Sequence, residues 1–581
     1  RRDAAAVREP IVAGGGPAGW WRSAVVYQVY VRSFADSDGD GIGDLGGLLA
    51  RLDHLEDLGV DVVWLGPVYP SPHDDNGYDV SDYRGVDPLF GTLEQLDLLL
   101  AELHRRGIRL ILDLVVNHTS DEHPWFLESA SGPDSPKRDW YWWRPARPGF
   151  SPGEPGAEPN NWESFFSGPA WELEPASGEY FLHLFSRRQP DLNWENPQVR
   201  EAVYDTMGWW LDRGIDGFRM DVINFISKDP ALPDGVVAPG ARFGDGFPFF
   251  GCGPRVHEYA REMHERVFGP RPGTFLTVGE MPGVSLEHAA RFTDPRHGEF
   301  DMVFQFEHMG VDQGPGGKWD AVPYEPARLI ASLVRWQEAL GETGWNSLYW
   351  NNHDQPRVVS RFGDPDRHWY ESATALAAAL HLQRGTPFVY QGEELGMTNM
   401  PFAALDELRD IESLNFARDA APADVLDRIR AIGRDNARTP VQWTAGPAAG
   451  FTTGEPWIAV NPNASWLNAQ AQRRGPRSVY EFYRELIRLR HETPVVVEGD
   501  FVHLPLEAPA VFAYARRAAD GDDALLVVAN LAAEEVAVPW TQLREAARPG
   551  REWDLLLGNR GPRVDGTLRA WEVVVERVRP V

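Results

Sequence analysis

Three carboxylates stand at the ends of three separate apolar runs, and their placement predicts chemistry. They are Asp221, Glu280 and Asp354. An acid that ends a β-run lies at the C-terminal edge of the strand, where a parallel barrel builds its active site. One such acid could belong to a structural ion pair, but three at three strand ends favour a catalytic set. Converging acids suit a positively charged transition state, and a glycoside is the leading substrate class.

Two of these acids have the spacing expected for a retaining glycosidase. Such an enzyme needs a nucleophilic carboxylate and a general acid/base about 5–5.5 Å apart. Asp221 and Glu280 are predicted on adjacent strands, the fourth and fifth, and neighbouring strands run ~4.8 Å apart. Arg219 precedes Asp221 by two residues and therefore points to the same face of its strand. Its guanidinium would keep the neighbouring carboxylate ionised.

The elements that must position these residues follow a βα rhythm. Near-continuous apolar runs are typical of strands buried on both faces, and helical patterns lie between them. Eight such units predict an α/β fold, a (β/α)8 TIM barrel. The predicted strands are Val25–Phe34, Val60–Val68, Ile108–Asn117, Ile215–Val222, Thr274–Met281, Asp301–His308, Trp345–Asp354 and Thr386–Glu394.

The βα pattern is interrupted twice and then gives way to short β-runs, and these changes define the predicted domains. The residues between the third and fourth strands are too many for a loop, so a small inserted domain is expected after strand three. A second excursion follows the eighth strand. Short β-runs then predict a C-terminal antiparallel β-domain, with strands at Val495–Leu504, Ala510–Arg516, Ala524–Ala529, Glu535–Trp540 and Ala570–Val578. The predicted boundaries are a disordered leader at 1–18, a catalytic barrel at 19–118 and 194–494, an inserted domain at 119–193 and a C-terminal domain at 495–581.

Composition excludes several classes of partner. The formal net charge of −30 argues against binding to nucleic acid or to an anionic membrane surface. The single cysteine, Cys252, excludes an internal disulfide framework. No run approaches the ~20 apolar residues that cross a bilayer, so no membrane partner is expected. The first residues lack the apolar centre of a signal peptide, which favours a cytoplasmic location.

A glycine-bent acidic loop predicts a structural calcium site. Asp36, Asp38, Asp40 and Asp44 offer side-chain oxygens at alternate positions, and Ile42 offers its carbonyl, as in the first half of an EF-hand loop. The bidentate glutamate that completes an EF-hand is missing. Four acids this close repel one another without a cation. A solvated Asp/Gly turn is the alternative.

Four segments together resemble the signature segments of the α-amylase superfamily, glycoside hydrolase family 13. They are Asp-Leu-Val-Val-Asn-His (113–118), Gly-Phe-Arg-Met-Asp-Val (217–222), Thr-Val-Gly-Glu (277–280) and Asn-Asn-His-Asp (351–354). The resemblance implies that Asp221 is the nucleophile, Glu280 the acid/base and Asp354 a third acid that binds sugar hydroxyls. It also implies that His118 and His353 bind hydroxyls of the sugar being cleaved, and that the acidic loop holds Ca²⁺.

Within that family the chain is similar to the oligo-1,6-glucosidase and α-glucosidase branch. The segments 217–228, 277–284, 351–363 and 433–443 carry this likeness. In the branch, valine after the nucleophile accompanies α-1,6 activity and smaller or polar residues accompany α-1,4 activity. Val222 therefore favours isomaltose-type bonds. A methyl group in a pocket is worth only ~1–3 kcal/mol, so this is a preference.

The resemblance also implies how the pocket is closed. Asp79 and Arg438 match a charged pair that leaves room for one glucose, which would make the enzyme exo-acting at the non-reducing end. An ordinary surface ion pair is the alternative and would carry no specificity. Tyr78 is expected to stack under the same glucose.

The predicted function is thus retaining exo-hydrolysis of α-1,6-glucosides such as isomaltose, panose and short isomaltooligosaccharides. Alternatives are an α-1,4-preferring α-glucosidase, an α-glucosyl transferase and a sucrose isomerase. An Arg-Leu-Asp-Arg-type motif, which sucrose isomerases of the branch carry, is missing from 319–345. Trehalose-6-phosphate hydrolysis should need a basic patch, and the chain has three lysines. A non-enzymatic, transporter-associated relative would lack the acids and carry a membrane anchor.

Overall fold

Eight parallel strands form the central barrel, in chain order around the sheet. The computed structural model describes residues 8–341, 343–420, 422–561 and 566–579. The barrel strands are Val26–Val29, Val62–Leu65, Arg109–Leu114, Gly217–Met220, Leu276–Glu280, Met302–Phe304, Ser347–Tyr349 and Thr386–Tyr390. A parallel bridge between Val303 and Asn346 joins the sixth and seventh strands and closes the ring. The predicted barrel is confirmed.

Burial explains why these strands read as continuous apolar runs. Every residue of the strands Val26–Val29, Val62–Leu65 and Arg109–Leu114 is buried. One face packs into the barrel interior and the other against the helices, so neither face selects polar residues. The observed strands are shorter than predicted because the apolar runs continue into buried connecting segments.

Helices cover the barrel and extend into the excursion after strand eight. The α-helices are Leu45–Ala50, Leu52–Leu58, Leu93–Arg105, Pro124–Ala130, Pro197–Arg213, Phe247–Phe250, Val256–Met263, Leu286–Thr293, Pro326–Leu340, Val358–Arg361, Trp369–His381, Ile411–Asp419, Val425–Ile432, Asp435–Arg438, Ala469–Gln472, Val479–Glu492, Pro494–Glu498 and Trp540–Ala547. Among the described residues, no helix combines the length and apolar character that crossing a membrane requires.

The segment between the third and fourth barrel strands forms a small sheet of its own. Its antiparallel strands are Trp143–Pro145, Glu179–Leu182 and Trp171–Glu174, in that spatial order. A separate apolar cluster rich in tryptophan supports this sheet. Val222, from the end of the fourth barrel strand, belongs to the same cluster. The inserted segment therefore packs directly against the residue that follows a candidate catalytic acid.

The C-terminal part is a five-stranded antiparallel sheet, as predicted. Its strands, in spatial order, are Asp500–His503, Val511–Arg517, Ala524–Asn530, Val573–Val578 and Trp553–Gly558. Three details differ from the sequence prediction. Residues Pro494–Glu498 form a helix rather than the start of a strand, and the strand Trp553–Gly558 was not predicted. Proline at the first helical position favours a helix start at Pro494, which the apolar valines concealed. The predicted strand Glu535–Trp540 is reduced to Val536–Ala537 in a separate two-stranded sheet, and Trp540 begins a helix.

The sequence predicts a disordered leader at residues 1–18, but the structure places residues 8–18 in contact with the barrel. Residues 1–7 lie outside the described residues. Arg8 donates to the carbonyls of Val60 and Gly59, at 2.6 Å each, and the Ile11 N–H donates to the His104 carbonyl. Residues 8–18 are therefore attached to the N-terminal end of the barrel. The other domain boundaries stay predictions.

Candidate active site

The three candidate catalytic acids lie at one end of the barrel. Asp221 directly follows the strand Gly217–Met220, and Glu280 is the last residue of the neighbouring strand Leu276–Glu280. Asp354 lies five residues beyond the end of its strand, at Tyr349. It therefore lies in a connecting loop, and the predicted strand 345–354 is too long. From this loop, Asp354 can extend beyond the end of the barrel, whereas an acid on the strand would be held at the barrel rim.

One guanidinium holds the first two acids together. Arg219 Nη1 donates to Asp221 Oδ1 at 2.7 Å, and its Nη2 lies 2.6 Å from Glu280 Oε1. The same Nη1 also donates to Asp113 Oδ1 at 2.6 Å. The Arg219 side chain is buried, and its guanidinium carbon lies 4.9 Å from the ring of Trp64. Arg219 lies beside Asp221, as the sequence predicts, and the same guanidinium also contacts Glu280.

Burial and charge raise the pKa of both acids. The pKa of Asp221 lies well above the ordinary carboxyl value, first because of burial and then because of the negative charge of Glu280. Burial also raises the pKa of Glu280, and the Arg219 guanidinium opposes that rise. Two buried carboxylates with a single shared cation favour the state that holds one proton. One acid is then available as a proton donor while the other stays ionised.

Val222 adopts a backbone conformation that is rare for its side chain. Its φ and ψ are 35° and 40°, in the left-handed region, which a β-branched residue seldom occupies. In this conformation its N–H donates to Glu280 Oε2 at 3.1 Å. Such strain persists only where the surroundings impose it, and it concentrates at functional sites. Val222 thus contacts Glu280 through its backbone while its side chain packs against the inserted segment.

Asp354 is held by cations on one oxygen. Arg438 Nη2 donates to Oδ1 at 2.8 Å, whereas Oδ2 faces His353 Nε2 at 3.3 Å. Gln28 Nε2 lies 2.8 Å from His353 Nδ1, which makes Nε2 the protonated ring nitrogen. The ring of Tyr78 stacks on His353, with centroids 4.8 Å apart. Tyr78, His353 and Asp354 therefore contact one another in series beside the catalytic acids.

The charges around Asp354 keep it ionised. Burial by itself would raise its pKa, but the Nε2–H of His353 and the guanidinium groups of Arg434 and Arg438 outweigh burial and hold the pKa well below the usual range. Burial lowers the pKa of His353 to about 3. The imidazole is therefore neutral near pH 7, and the arginines supply the positive charge. Of the three candidate acids, Asp354 has the most exposed side chain, at 26%.

The predicted pair between Asp79 and Arg438 is not formed. Asp79 is fully buried and accepts hydrogen bonds from the Ser71 hydroxyl and from the N–H groups of Asp74 and Asp75. Arg438 pairs instead with Asp354. The backbone loop around Asp79 satisfies its charge, so it needs no arginine. Both residues nevertheless lie in the polar network around Asp354 and Asp75.

His118 joins this network through Tyr78. Its Nε2 is 3.1 Å from the carbonyl of Tyr78, and Asn117 Nδ2 lies 3.1 Å from its Nδ1. Both ring nitrogens thus have protein partners. Burial lowers its pKa to about 4, which leaves the ring neutral near pH 7. Its ring also contacts that of Phe185, with centroids 5.2 Å apart.

Sequence reasoning missed Arg434, which is central to the pocket. Its guanidinium contacts Asp354, Asp75 and Asp410. It lies four residues before Arg438, in a segment whose resemblance to the glucosidase branch was already evident. A second buried arginine at that spacing was the available signal. Its acidic partners come from loops distant in sequence, and the spacing within one segment does not predict them.

The acidic loop brings three of its five predicted metal-binding residues together. Carboxylate oxygens of Asp36, Asp38 and Asp40 lie within 4.8 Å of one another. Asp44 instead caps the helix Leu45–Ala50, accepting from the Gly47 N–H and from the Ser37 hydroxyl. For Ile42, the N–H donates to Asp40 Oδ1. Burial and the charges of the other acids in the loop raise the pKa of Asp40. Three crowded carboxylates of this kind fit a hard cation.

Comparison with known proteins places the whole architecture in one family. The model of the α-amylase catalytic domain matches residues 28–499. An oligo-1,6-glucosidase of Parageobacillus thermoglucosidasius is 53% identical over 517 residues, covering 88% of this chain and 90% of that one. The oligo-1,6-glucosidase of Bacillus cereus is 50% identical over 570 residues, covering 96% of this chain and 99% of that one.

A solved structure agrees with the fold. The trehalose-6-phosphate hydrolase of Bacillus licheniformis, in a variant with a bound ligand, superposes with a TM-score of 0.89 at 42% identity, covering 97% of this chain and 100% of that one. The likeness therefore spans the barrel, the inserted sheet and the C-terminal sheet. The chain belongs to the α-amylase family and is a glycoside hydrolase.

Proposed function

We propose that the protein is a retaining, exo-acting α-glucosidase that hydrolyses α-1,6 bonds of isomaltose, panose and isomaltooligosaccharides. The observation that carries this proposal is the contact of one guanidinium, Arg219, with Asp221 at 2.7 Å and with Glu280 at 2.6 Å. Two acids held by one planar group address a single sugar from two sides. Relatives named oligo-1,6-glucosidase at 53% and 50% identity support the choice of substrate.

The reaction needs two displacements. Asp221 attacks the anomeric carbon and forms a glucosyl ester, while Glu280 gives its proton to the departing glycosidic oxygen. Glu280, now ionised, takes a proton from water, and that water releases glucose with its original α configuration. Asp354 binds sugar hydroxyls through Oδ2, because Oδ1 is already occupied by Arg438. Tyr78 and the histidines His118 and His353 line the same pocket.

The charge of the pocket favours a neutral sugar over a sugar phosphate. Arg434 and Arg438 are matched by Asp75, Asp354 and Asp410. The chain's lysines are also engaged: Lys137 pairs with Glu128, Lys228 with Asp191 and Lys318 with Glu412. A phosphate ester would therefore meet no surplus of positive charge from these arginines and lysines. Trehalose-6-phosphate hydrolysis, the activity named for the structural relative, is therefore the less favoured alternative.

Val222 supports the α-1,6 preference through its position. It follows the nucleophile directly, and its N–H binds the acid/base. Its side chain is buried in the cluster under the inserted segment. A change in its size would alter the pocket wall beside both acids. Selection between linkages through one methyl group amounts to roughly tenfold to a hundredfold.

The test is product analysis on isomaltose, maltose, sucrose, trehalose and trehalose 6-phosphate in parallel. We expect isomaltose to give glucose fastest, with the α anomer released first in a proton NMR time course. Val222→Thr should lower the isomaltose-to-maltose ratio of kcat/KM, and Val502→Thr on the C-terminal sheet should leave it unchanged. Faster turnover of maltose than of isomaltose would contradict the α-1,6 assignment. Release of the β anomer would contradict retention.

We further propose that Asp36, Asp38 and Asp40 hold a structural Ca²⁺. Hydrogen bonds within the loop already orient them: Asp36 accepts from the N–H of Gly39 and Gly41, and Asp38 from that of Asp40. The role is structural because the loop contributes no group to the carboxylate pocket. A cytoplasmic location stays a prediction of the sequence.

A further inference from the structure

Two tyrosine rings lie parallel to the imidazole of His353. The ring of Tyr30 is 6.1 Å away between centroids, with 10° between the planes, and that of Tyr78 is 4.8 Å away, with 6° between the planes. The side chain of His353 is only 2% exposed. Packing therefore fixes the plane of the imidazole, and the groups at its edge decide what its two nitrogens can do.

The imidazole of His353 carries a single N–H. Burial lowers its pKa to about 3, so the ring is neutral near pH 7. A neutral imidazole has one nitrogen that donates a hydrogen bond and one that accepts. Which nitrogen holds the hydrogen is set by the partner of the other nitrogen. The chemistry that this ring offers to a sugar therefore depends on its tautomer.

Each ring nitrogen of His353 faces one side chain. Nδ1 lies 2.8 Å from Nε2 of Gln28, on the first barrel strand, Val26–Val29. The other nitrogen, Nε2, lies 3.3 Å from Asp354 Oδ2. An ionised carboxylate can only accept, so the Nε2 of the imidazole must hold the hydrogen. Nδ1 is then a lone pair, and the amide of Gln28 donates to it.

The amide of Gln28 makes no other side-chain hydrogen bond in the described part of the chain. Gln28 is 1% exposed, and its Oε1 is buried without a hydrogen-bond partner among the described residues. A buried polar atom left in this way costs free energy. The opposite amide orientation would place Oε1 against Nδ1 of His353. The hydrogen would then move to Nδ1, and two lone pairs would face each other between His353 and Asp354.

We infer that Gln28 is a positioning residue: its amide N–H holds His353 as the Nε2–H tautomer, so that the ring presents a donor to Asp354 and to a sugar hydroxyl. Gln28 acts through His353 and contacts neither of the acids that react. The inference rests on the proposed function for the role of the sugar. The tautomer itself belongs to the free enzyme and can be measured without a substrate.

Charged groups from several elements surround the imidazole and remain in place when Gln28 is replaced. The titratable or charged groups that face His353 are Asp354, Arg219, Arg434, Arg438, Tyr30 and Tyr78. The three arginines disfavour a second proton on the ring, whereas the carboxylate favours it. A change in the pH profile of a Gln28 variant therefore reports on the amide.

The first experiment determines the tautomer directly. Native enzyme labelled with ¹⁵N-histidine is studied by NMR at pH 7, and a His353→Asn sample identifies the signals that belong to His353. We expect Nε2 to show the chemical shift of a protonated ring nitrogen and Nδ1 that of an unprotonated one. The reverse assignment, with the hydrogen on Nδ1, would overturn the inference.

The second experiment compares the pH dependence of kcat/KM on the best α-glucoside of the native enzyme. Gln28→Leu removes the donor and should lower kcat/KM roughly tenfold, the effect of one lost buried hydrogen bond. Gln28→Glu places an acid against Nδ1. Once that acid and the imidazole have lost their shared proton, the carboxylate draws the remaining hydrogen to Nδ1. We therefore expect a new alkaline decline of kcat/KM in Gln28→Glu.

A buried glutamine outside the pocket serves as the matched control. Gln337, on the helix Pro326–Leu340, donates to the carbonyl of Arg384 and accepts from its N–H. Gln337→Leu should lower the melting temperature and leave kcat/KM and its pH profile at native values. This variant measures what the loss of a buried amide does when no catalytic histidine depends on it.

The remaining outcomes decide between positioning and packing. Native kcat/KM in Gln28→Leu would overturn the inference. So would a loss of kcat/KM in Gln28→Leu together with a native pH profile in Gln28→Glu, since that result indicates packing alone. If Gln28→Leu does not fold, Gln28→Glu and the native tautomer carry the test. A native preference for another linkage would contradict the α-1,6 proposal and leave the tautomer measurement intact.

Discussion

At the scale of single residues, the main feature of the site is a group of buried acids with little positive charge to balance them. Asp221, Glu280 and Asp113 surround one guanidinium, that of Arg219. Burying these acids raises their pKa, and the arginine opposes the rise. A single cation among three acids leaves the set able to hold a proton at higher pH than free carboxyl groups can. That capacity is what a general acid requires.

Replacement of the candidate nucleophile tests this arrangement. Asp221→Asn keeps the shape of the side chain but removes the charge that attacks the anomeric carbon. We expect kcat to fall on the order of 10⁴-fold, the scale seen when a member of a catalytic set is removed. Steady-state kinetics with thermal unfolding as a folding check measures it. The control is Asp212→Asn, at a 70% exposed side chain paired with Arg271. Native turnover in Asp221→Asn would refute the nucleophile assignment.

A second buried acid, Glu393, links stability to pH. It accepts from the Tyr483 hydroxyl at 2.8 Å, and burial raises its pKa from 4.5 to about 8. Between those pH values the unfolded chain has lost this proton and the folded protein keeps it. The folded state binds more protons there, so the free energy of unfolding falls as pH rises through this window.

Glu393→Gln should remove that pH dependence. The amide oxygen still accepts from Tyr483, but the group no longer titrates. We expect the decline of the free energy of unfolding between pH 5 and 8 to become smaller by roughly 1–3 kcal/mol. Urea unfolding at several pH values measures the slope. Glu485→Gln, on an exposed helix face, should leave the native slope unchanged. Equal slopes in Glu393→Gln and the native protein would show that Glu393 does not retain its proton.

At the scale of elements, most of the site is built by segments that leave the barrel strands. The strand Gly217–Met220 ends immediately before Asp221, where the backbone turns left-handed at Val222. The loops after the second, seventh and eighth strands meet at Arg434. Helix Ile411–Asp419 begins at Asp410, which caps it and also binds this arginine. Secondary structure and active site therefore share the same side chains.

The acidic loop before the helix Leu45–Ala50 gives a prediction at this scale. If Asp36, Asp38 and Asp40 bind calcium, chelation should lower the melting temperature. Saturation at a hundredfold excess over Kd stabilises a protein by about 2.7 kcal/mol. Asp38→Asn should weaken this effect, and Asp53→Asn, on the exposed face of a nearby helix, should preserve it. Identical melting curves with calcium and with chelator, measured by calorimetry, would contradict the calcium site.

At the scale of the whole molecule, a buried arginine joins the C-terminal sheet to the barrel. Arg516 is fully buried and donates to the carbonyls of Leu382, Val496 and Gly499 at 2.8, 2.7 and 2.6 Å. Leu382 follows the barrel helix Trp369–His381. Carbonyl groups at the ends of two helices thus find their partners on a strand of the other sheet. These bonds favour unfolding of the two parts as one unit.

The neighbouring arginine provides a matched control for this contact. Arg516→Met should destabilise the protein by roughly 2–4 kcal/mol, because three buried carbonyls lose a charged donor. Arg517→Met removes a half-exposed arginine that pairs with Asp500 and should cost no more than about 1 kcal/mol. Calorimetry on both variants measures the difference. Equal melting temperatures would show that the interface does not depend on this side chain.

The parts of the fold predicted from sequence are those governed by local pattern. All eight barrel strands were located, because strands buried on both faces give uninterrupted apolar runs. Errors appeared where the pattern is ambiguous. The valines after Pro494 suit a strand or a helix equally, and the helix formed. The prediction put Asp354 on its strand, but the last barrel pair of that strand is at Tyr349, and the polar residues 351–353 lie between them.

The sequence by itself determined the candidate chemistry: which acids come at or after which strands, that Arg219 accompanies Asp221, and that neighbouring strands bring Glu280 beside them. Strand order and side-chain alternation are local rules, so reading along the chain is enough. Only the tertiary structure decided the partners of the pocket arginines. It gave Arg438 to Asp354 rather than to Asp79, and it placed Arg434 among three acids from separate loops. The partners of a buried arginine depend on the charge and burial of groups that are distant in sequence. The spacing of residues within one segment does not predict them.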